Sequence, residues 1–559
     1  MLTLDLQFDD SPSPTPSVVP EKNGVVYTKP WVAELILDLA GYRPESDLAN
    51  KIAIEPAAGD GAFLVSMARR LARSCRRHGR PLEDGAGALV GFELDCDTAD
   101  RAREALVSAL TEENVNPELA RSLAEHWVIV GDFLLGAASS CRSADFVIGN
   151  PPYIRLEEMP SSISARYRSE YPTMRGRADI YIAFYEAALR RLNPGGVCAY
   201  ICADRWMLNQ YGSGLRRMVT ARYCVETILE MHDADAFHEE VSAYPAVTVI
   251  RRARQGPVVV ARADATAAET PSQELADALD SARSSSSNAV PLPGVSAAVV
   301  PSWFTGDEPW PCTSPARLAL LQRLCREFPA LGEAASGVAV GIGIATGADA
   351  VFITRDPDIV EPSRLLPLAM AADTGTGAVS WSGHYLVDPW DEHGLVALRE
   401  YPRLAAYLGA NREKLCARNV GRRHPERWYR TIDRVTHSLT SARKLYIPDM
   451  KDALSPVLDT GTTYPHHNLY FMRSDAWDLK ALGGLLLSDV GQFFMECYGV
   501  RMRGGYLRFQ AQFLRRIRVP APQAVSPGDA AALAEAFDRR DRALATRTAL
   551  KLYKIDSIP

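Results

Sequence analysis

From about residue 50 to residue 253, short apolar runs alternate with longer segments of helical period. The runs are Ile52-Ala53-Ile54, Leu89-Val90-Gly91-Phe92, Val128-Ile129-Val130, Phe146-Val147-Ile148, Val197 to Cys202, and Ala246 to Ile250. Between most of them, as in 62–78, 97–110 and 180–192, apolar residues recur at helical spacing. Strands alternating with helices predict a mostly parallel sheet covered on both faces. A further helix is predicted over 31–41, ending at Gly41. The pattern then breaks. Ala, Ser, Asp and Glu dominate 261–298, which includes Ser284-Ser285-Ser286-Ser287 and reads as a partly disordered surface linker. Residues 300–520 are richer in Arg, His, Trp and Tyr without clear alternation, and 527–552 predict one last helix. The reading is a Pro/Ser-rich arm (1–23), an α/β domain (24–255), a linker (256–300), an α+β domain (301–525) and a C-terminal helix (526–559).

Composition narrows this little. The 559 residues are 47% apolar and 23% charged, which is ordinary for globular proteins. At about 150 residues per domain, length alone favours three or four domains. A net charge of -6 argues against a chain that coats nucleic acid through bulk positive charge. The ten cysteines are scattered without a CxxC pair, which predicts reduced thiols in a reducing cytoplasm. No secretion signal or membrane-spanning run is read, so no membrane partner is expected.

Candidate chemistry sits where predicted strands end. Glu55-Pro56-Ala57-Ala58-Gly59-Asp60-Gly61 follows the first strand and opens a helix, and glycines at i and i+2 let the backbone turn tightly beside a ligand. Ligands of doubly wound sheets lie at the carboxyl ends of the strands. Glu93, followed by Leu94, ends the second strand, where a carboxylate can accept bonds from two ribose hydroxyls. Asp132-Phe133 follows the third strand, where the Asp can accept from an adenine amine and the ring can pack on the base. Together these suit one adenosine. With neither GxGxxG nor a GxxxxGK[ST] loop, a cofactor lacking pyrophosphate is expected, and S-adenosyl-L-methionine fits.

The fourth strand runs into Asn150-Pro151-Pro152-Tyr153. Two prolines make a rigid turn. The Asn150 side-chain carbonyl and the Pro151 backbone carbonyl can then grip both hydrogens of an amino group, and Tyr153 can stack on the base that carries it. Here the sequence resembles a family, the gamma-group, TaqI-like methyltransferases of restriction-modification systems, which modify adenine N6 in DNA. Further motifs carry the resemblance: Gly24-Val25-Val26-Tyr27-Thr28-Lys29-Pro30, Asp179-Ile180-Tyr181-Ile182-Ala183-Phe184 and Leu192-Asn193-Pro194-Gly195-Gly196-Val197. The cofactor-tail motif precedes the sheet motifs and a recognition domain follows, an order that defines the gamma group.

The resemblance implies a class I methyltransferase fold, S-adenosyl-L-methionine as cofactor and double-stranded DNA as partner. It implies that Tyr27, Thr28, Glu55, Pro56, Ala57, Gly59, Gly61 and Asn150 bind the cofactor, with Thr28 and the Gly59–Gly61 turn on its methionine part. Glu93 would hold the ribose, with Leu94 also binding the cofactor, and Asp132 and Phe133 would hold the cofactor adenine. Asn150, Pro151, Pro152 and Tyr153 would take the target base. The family's lateral aromatic would be Phe237 or Tyr244; Phe237 is favoured because Val241-Ser242-Ala243 follows it at suitable spacing. A monomer is expected, with any restriction endonuclease encoded separately. Methyltransferases acting on RNA or on protein glutamine share the tetrapeptide and form the alternative.

Charge is segregated along the chain. Residues 401–451 carry twelve Lys or Arg against four Asp or Glu, and 501–518 carry six Arg and no acid. Aromatics interleave with them, as expected of a surface making phosphate and base-edge contacts. Arg422, Arg423, Arg427, Trp428, Arg430, Arg503, Tyr506 and Arg508 are the candidates. The strings 343–352 and 502–509 resemble the family's recognition domains, and His466 and His467 read as loop or phosphate contacts rather than metal ligands.

Overall fold

The structure, a computed structural model, describes residues 28–135, 143–238, 244–285, 293–311, 313–375, 377–501 and 506–559. The N-terminal arm, Tyr27 and Arg503 lie outside these residues. The chain divides into two compact units, Met1–Pro315 and Ala316–Pro559.

Among the described residues the first unit is built on nine strands: β1 (Ala53–Glu55), β2 (Leu89–Glu93), β3 (Val128–Val130), β4 (Ala144–Gly149), β5 (Leu192–Ala203), β6 (Cys224–Glu230), β7 (Pro245–Arg251), β8 (Val258–Ala263) and β9 (Val295–Val300). Their order is β3-β2-β1-β4-β5-β7-β6-β8-β9. Pairing is parallel from β3 to β5, and β7 runs antiparallel between β5 and β6. The predicted mostly parallel sheet is therefore present. Helices Ala62–Arg77, Cys96–Glu112 and Pro117–Trp127 join the first strands as crossovers. Three-residue β1 is wholly buried, the mark of a central strand covered on both faces.

The linker expected over 256–300 is corrected. β8 pairs parallel with β6, and β9 pairs antiparallel with β8, so this stretch extends the sheet. Helix Ser272–Ser285 lies between them. Its polar residues suggested disorder, but Leu275, Ala276 and Leu279 recur at helical spacing and are buried in the core of this unit. The same helix ties to helix Pro30–Ala40 and the residues after it: Ser272 Oγ donates to Asp38 Oδ2 at 2.8 Å, and Asp277 pairs with Arg43. A low average hydropathy thus hid a one-sided helix.

The second unit is α+β, with three small sheets among the described residues. Two of them use strands Ala339–Ile342, Leu469–Arg473 and Lys444–Pro448, and strands Ile353–Thr354, Tyr385–Val387 and Leu365–Ala369. Lys444 and Asp459 form an ion pair whose side chains are both fully buried. The single terminal helix expected over 526–559 is two, Pro527–Arg539 and Arg542–Tyr553, broken where Arg540 takes φ 54°. Helix Leu479–Leu487 packs so closely on the first of them that a Cβ on Gly484 would lie 2.0 Å from the Leu533 carbonyl oxygen. Gly484→Ala is expected to lower stability by about 1–3 kcal/mol, read as a lower denaturant midpoint with an unchanged slope.

Candidate active site

The turn after β1 is shaped by its glycines. Gly59 (φ 55°) and Gly61 (φ 95°) adopt left-handed backbone, which side-chain-bearing residues resist. Gly61 then caps helix Ala62–Arg77. Glu93 at the end of β2 reaches across this turn. Its Oε2 accepts from the Gly59 N–H at 2.9 Å, and Oε1 accepts from the amides of Leu94 and Asp95 at 2.8 and 3.0 Å. The carboxylate is thereby fixed by the backbone it borders: Oε1 is filled by two amides, and Oε2 keeps one lone pair for a hydroxyl. Beside it Leu94 is 58% exposed, an apolar surface open to a ligand.

Glu55 is buried, and burial raises its carboxyl well above the usual carboxylate range. Its Oε2 has no hydrogen-bond partner among the described residues. An orphaned buried oxygen beside a glycine turn fits a cationic or hydrogen-bond-donating ligand group. Asp132 is held from two sides: Oδ1 accepts from the Leu134 amide at 2.7 Å and Oδ2 from the Tyr167 hydroxyl at 2.8 Å. Tyr167, on helix Ser161–Glu170, was not foreseen, since nothing local in the sequence links it to Asp132. Phe133 is 2% exposed, its ring stacked on Phe184 and lying under the Arg191 guanidinium. Its ring is thus packed between groups of the protein itself.

β4 delivers the Asn-Pro-Pro-Tyr turn. A Cβ on Gly149 would lie 3.4 Å from Pro56 and 3.5 Å from Glu55, so the Asn150 turn rests against the β1 turn. Asn150 Nδ2 donates to Thr28 Oγ1 at 3.1 Å. Thr28 is itself bridged antiparallel to Phe237. Phe237 is 6% exposed and part of the core, with its backbone next to the residue that holds Asn150, whereas the Tyr244 ring lies against His232. Of the two aromatics, Phe237 is the one tied to the Asn150 turn. The Tyr153 hydroxyl donates to the Ile201 carbonyl of β5 at 3.3 Å, and the edge-on ring of Tyr181 steadies it. Burial raises the Tyr153 phenol well above its ordinary value, so it stays protonated. Contacts thus run from Glu93 through Gly59 to the Glu55–Gly149 junction, and on through Asn150 and Thr28 to Phe237.

Three relatives match nearly the whole chain. The type II methyltransferase M.PaeR7I of Pseudomonas aeruginosa is 42% identical over 95% of this chain and 92% of its own length. M.XhoI of Xanthomonas vasicola is 40% identical over 96% and 98%. M.BstVI of Geobacillus stearothermophilus is 37% identical over 96% and 95%. The Eco57I restriction-modification methylase family matches residues 117–237. The chain belongs to the type II restriction-modification DNA methyltransferases. Its fold is shared with the type IIL restriction-modification enzyme MmeI, solved with DNA, at a TM-score of 0.56, 13% identity, and coverage of 94% of this chain and 72% of that one. The expected class I methyltransferase fold is borne out, and the family implies S-adenosyl-L-methionine as methyl donor. None of the described helices is long and apolar enough to cross a membrane.

In the second unit of this type II methyltransferase, the charged candidates separate. Arg422, Arg423 and Arg427 are exposed, as is Tyr506 at 54%. Trp428 is corrected: it is 8% exposed, packed in the unit's core under the Arg412 guanidinium, because the short turn Pro425–Arg427 rolls it inward. Arg430 lies over the Trp390 ring and donates to the Thr431 carbonyl at 3.2 Å, and Arg508 pairs with Asp449 at 2.5 Å. Both therefore spend their charge partly inside the unit. Arg418, absent from the candidates, donates to the carbonyls of Thr346, Trp428 and Arg430, stapling the 343–349 segment to the 428–432 segment.

His232, also unforeseen, lies between Asp204 at 2.9 Å and Glu230 at 2.7 Å. Burial opposes its charge, but the hydrogen bonds to the two carboxylates outweigh it and hold the imidazole up at about 9. A raised folded value means the pairing stabilises fully below the unfolded histidine value, about 6.5. It is lost as pH rises through about 9. The wild-type methyltransferase is expected to lose melting temperature from pH 7 to 10 more steeply than His232→Gln. Equal slopes would refute the linkage.

Proposed function

We propose that this chain transfers a methyl group from S-adenosyl-L-methionine to the N6 amine of an adenine flipped out of double-stranded DNA. Within a restriction-modification system, this would protect host DNA from a separately encoded endonuclease. The observation that carries the reading is the Asn150 side chain, whose amide nitrogen is tethered to Thr28 at the end of β4. That tether sets the opposite, carbonyl side of the amide in a fixed direction in a turn stiffened by Pro151 and Pro152.

The adenine amine is a poor nucleophile because its lone pair is delocalised into the ring. Asn150 Oδ1 and the Pro151 carbonyl would accept its two hydrogens, favouring a tetrahedral nitrogen whose lone pair is free. The bound cofactor supplies an electrophilic sulfonium methyl. The Gly59–Gly61 turn and Glu93 would hold that cofactor, so that the freed lone pair of the amine would meet the methyl carbon in line, the departing sulfur becoming a neutral thioether. The methylated amine is then acidic and gives up a proton, so no strong base is required. Holding the reacting atoms in line does most of the work.

Extruding a base costs a few kcal/mol, which stacking on Tyr153 would offset by about 1–3 kcal/mol. Tyr153→Ala is therefore expected to weaken DNA binding by about 5- to 150-fold in the presence of a non-reactive cofactor analogue. Tyr153→Phe keeps the ring and loses only the Ile201 contact, so its affinity should stay near wild type.

The deciding experiment uses duplex DNA and methyl-labelled cofactor, followed by digestion to nucleosides. The label is expected in N6-methyldeoxyadenosine. Label in a methylated cytosine would overturn the adenine assignment, and sequencing of the product gives the recognition site.

A further inference from the structure

We propose that Asp349, His466 and His467 in the second unit bind a divalent transition-metal ion of the zinc class. One ligand atom from each side chain can be chosen so that all lie within 4.8 Å of one another. His466 Nε2 and Asp349 Oδ2 are 3.2 Å apart. Metal bonds of about 2.0–2.1 Å in a tetrahedral site give ligand-to-ligand edges of about 3.3 Å, so this pair already spans one edge. The two imidazole rings lie side by side with centroids 4.1 Å apart.

The sequence suggested phosphate contacts for these histidines, because adjacency carries no ligand spacing and Asp349 is 117 positions from His466. The fold supplies the third donor. His466 is 2% exposed, so the turn that carries it holds its imidazole in place.

The donors are held before any ion arrives. Ile344 bridges to His466 in parallel, its N–H donating to the Pro465 carbonyl at 2.9 Å. A Cβ on Gly343 would lie 2.1 Å from the His466 carbonyl oxygen, so this approach requires glycine. The Thr346 hydroxyl donates to Asp349 Oδ1 at 2.5 Å, the kind of outer contact that orients a ligating carboxylate. Asp349 and His467 are exposed, so an ion can exchange with solvent and keep water at a fourth position. Two nitrogens and one oxygen suit zinc-like ions better than magnesium or calcium, which take oxygen ligands. Such an ion would cross-link the 343–349 segment to the 464–469 turn.

The test uses the untagged full-length protein, stripped with chelator and titrated with Co²⁺ and with Zn²⁺. One equivalent of Co²⁺ per chain with the visible bands of low coordination is expected, displaced by Zn²⁺. His467→Ala and Asp349→Asn should each weaken uptake by about 100-fold or more, while His424→Ala, at an exposed site elsewhere, should not. His467 is exposed, so its removal leaves the core intact, and the variant's unchanged melting temperature without metal verifies this. Zn²⁺ should raise the melting temperature of wild type but not of His467→Ala. Absence of stoichiometric uptake by the folded wild type, or undiminished uptake in both variants, would overturn the proposal.

Discussion

Asn150→Ala is expected to reduce methyl transfer by at least 10²–10³-fold, about what removal of one fixed polar group from a reacting centre costs. Cofactor affinity should change little, because the Gly59–Gly61 turn and Glu93 are organised by their own hydrogen bonds. Single-turnover transfer and equilibrium cofactor binding separate the two effects. Thr28→Val sharpens the test, since it keeps the shape of Thr28 but removes the hydroxyl that accepts from Asn150 Nδ2. It should lose part of the rate, about tenfold for one neutral hydrogen bond of about 1 kcal/mol or slightly more. Wild-type transfer by Asn150→Ala would refute the catalytic assignment, whatever Thr28→Val does.

The largest loss of stability is expected from Lys444→Met. Lys444 and Asp459 are fully buried, and burial pulls the ammonium below its ordinary value while the carboxylate opposite pulls it back. Lys444 also donates to the carbonyls of Thr440 and Ala442. Asp459 is further supported by Thr462, whose amide and hydroxyl donate at 3.2 and 2.9 Å. Removing the cation strands a buried carboxylate, which costs about 3–5 kcal/mol. The double variant Lys444→Met with Asp459→Leu should recover much of that, because two apolar groups leave no uncompensated charge. Chemical denaturation of the four proteins of this cycle measures the coupling, and a double variant no better than Lys444→Met alone would contradict the account.

What could be read from the chain alone was what the backbone dictates locally. The left-handed glycines 59 and 61, the acid ending β2, and the proline-stiffened turn at 150–153 stand at the strand ends where the sequence put them. What escaped depends on which side of a residue faces inward. Leu275 and Leu279 looked diluted by polar neighbours, yet they complete the sheet's cover. Trp428 looked like part of a basic surface and fills a core instead. Tyr167, Arg418 and the Asp349–His466–His467 group act across long stretches of sequence. Periodicity and spacing hold no information about such partners.

The extension of the sheet beyond β6 also governs how this enzyme can be cut into parts. A fragment ending at residue 255 would strip away β8 and its helix. That would bare the hydrogen-bonding edge of Thr227–Glu230 and the buried Asp38 side of helix Pro30–Ala40. An open edge strand beside newly exposed apolar surface invites self-association. A catalytic half able to stand alone must therefore carry the chain through Val300, with the boundary drawn by strand pairing rather than by composition.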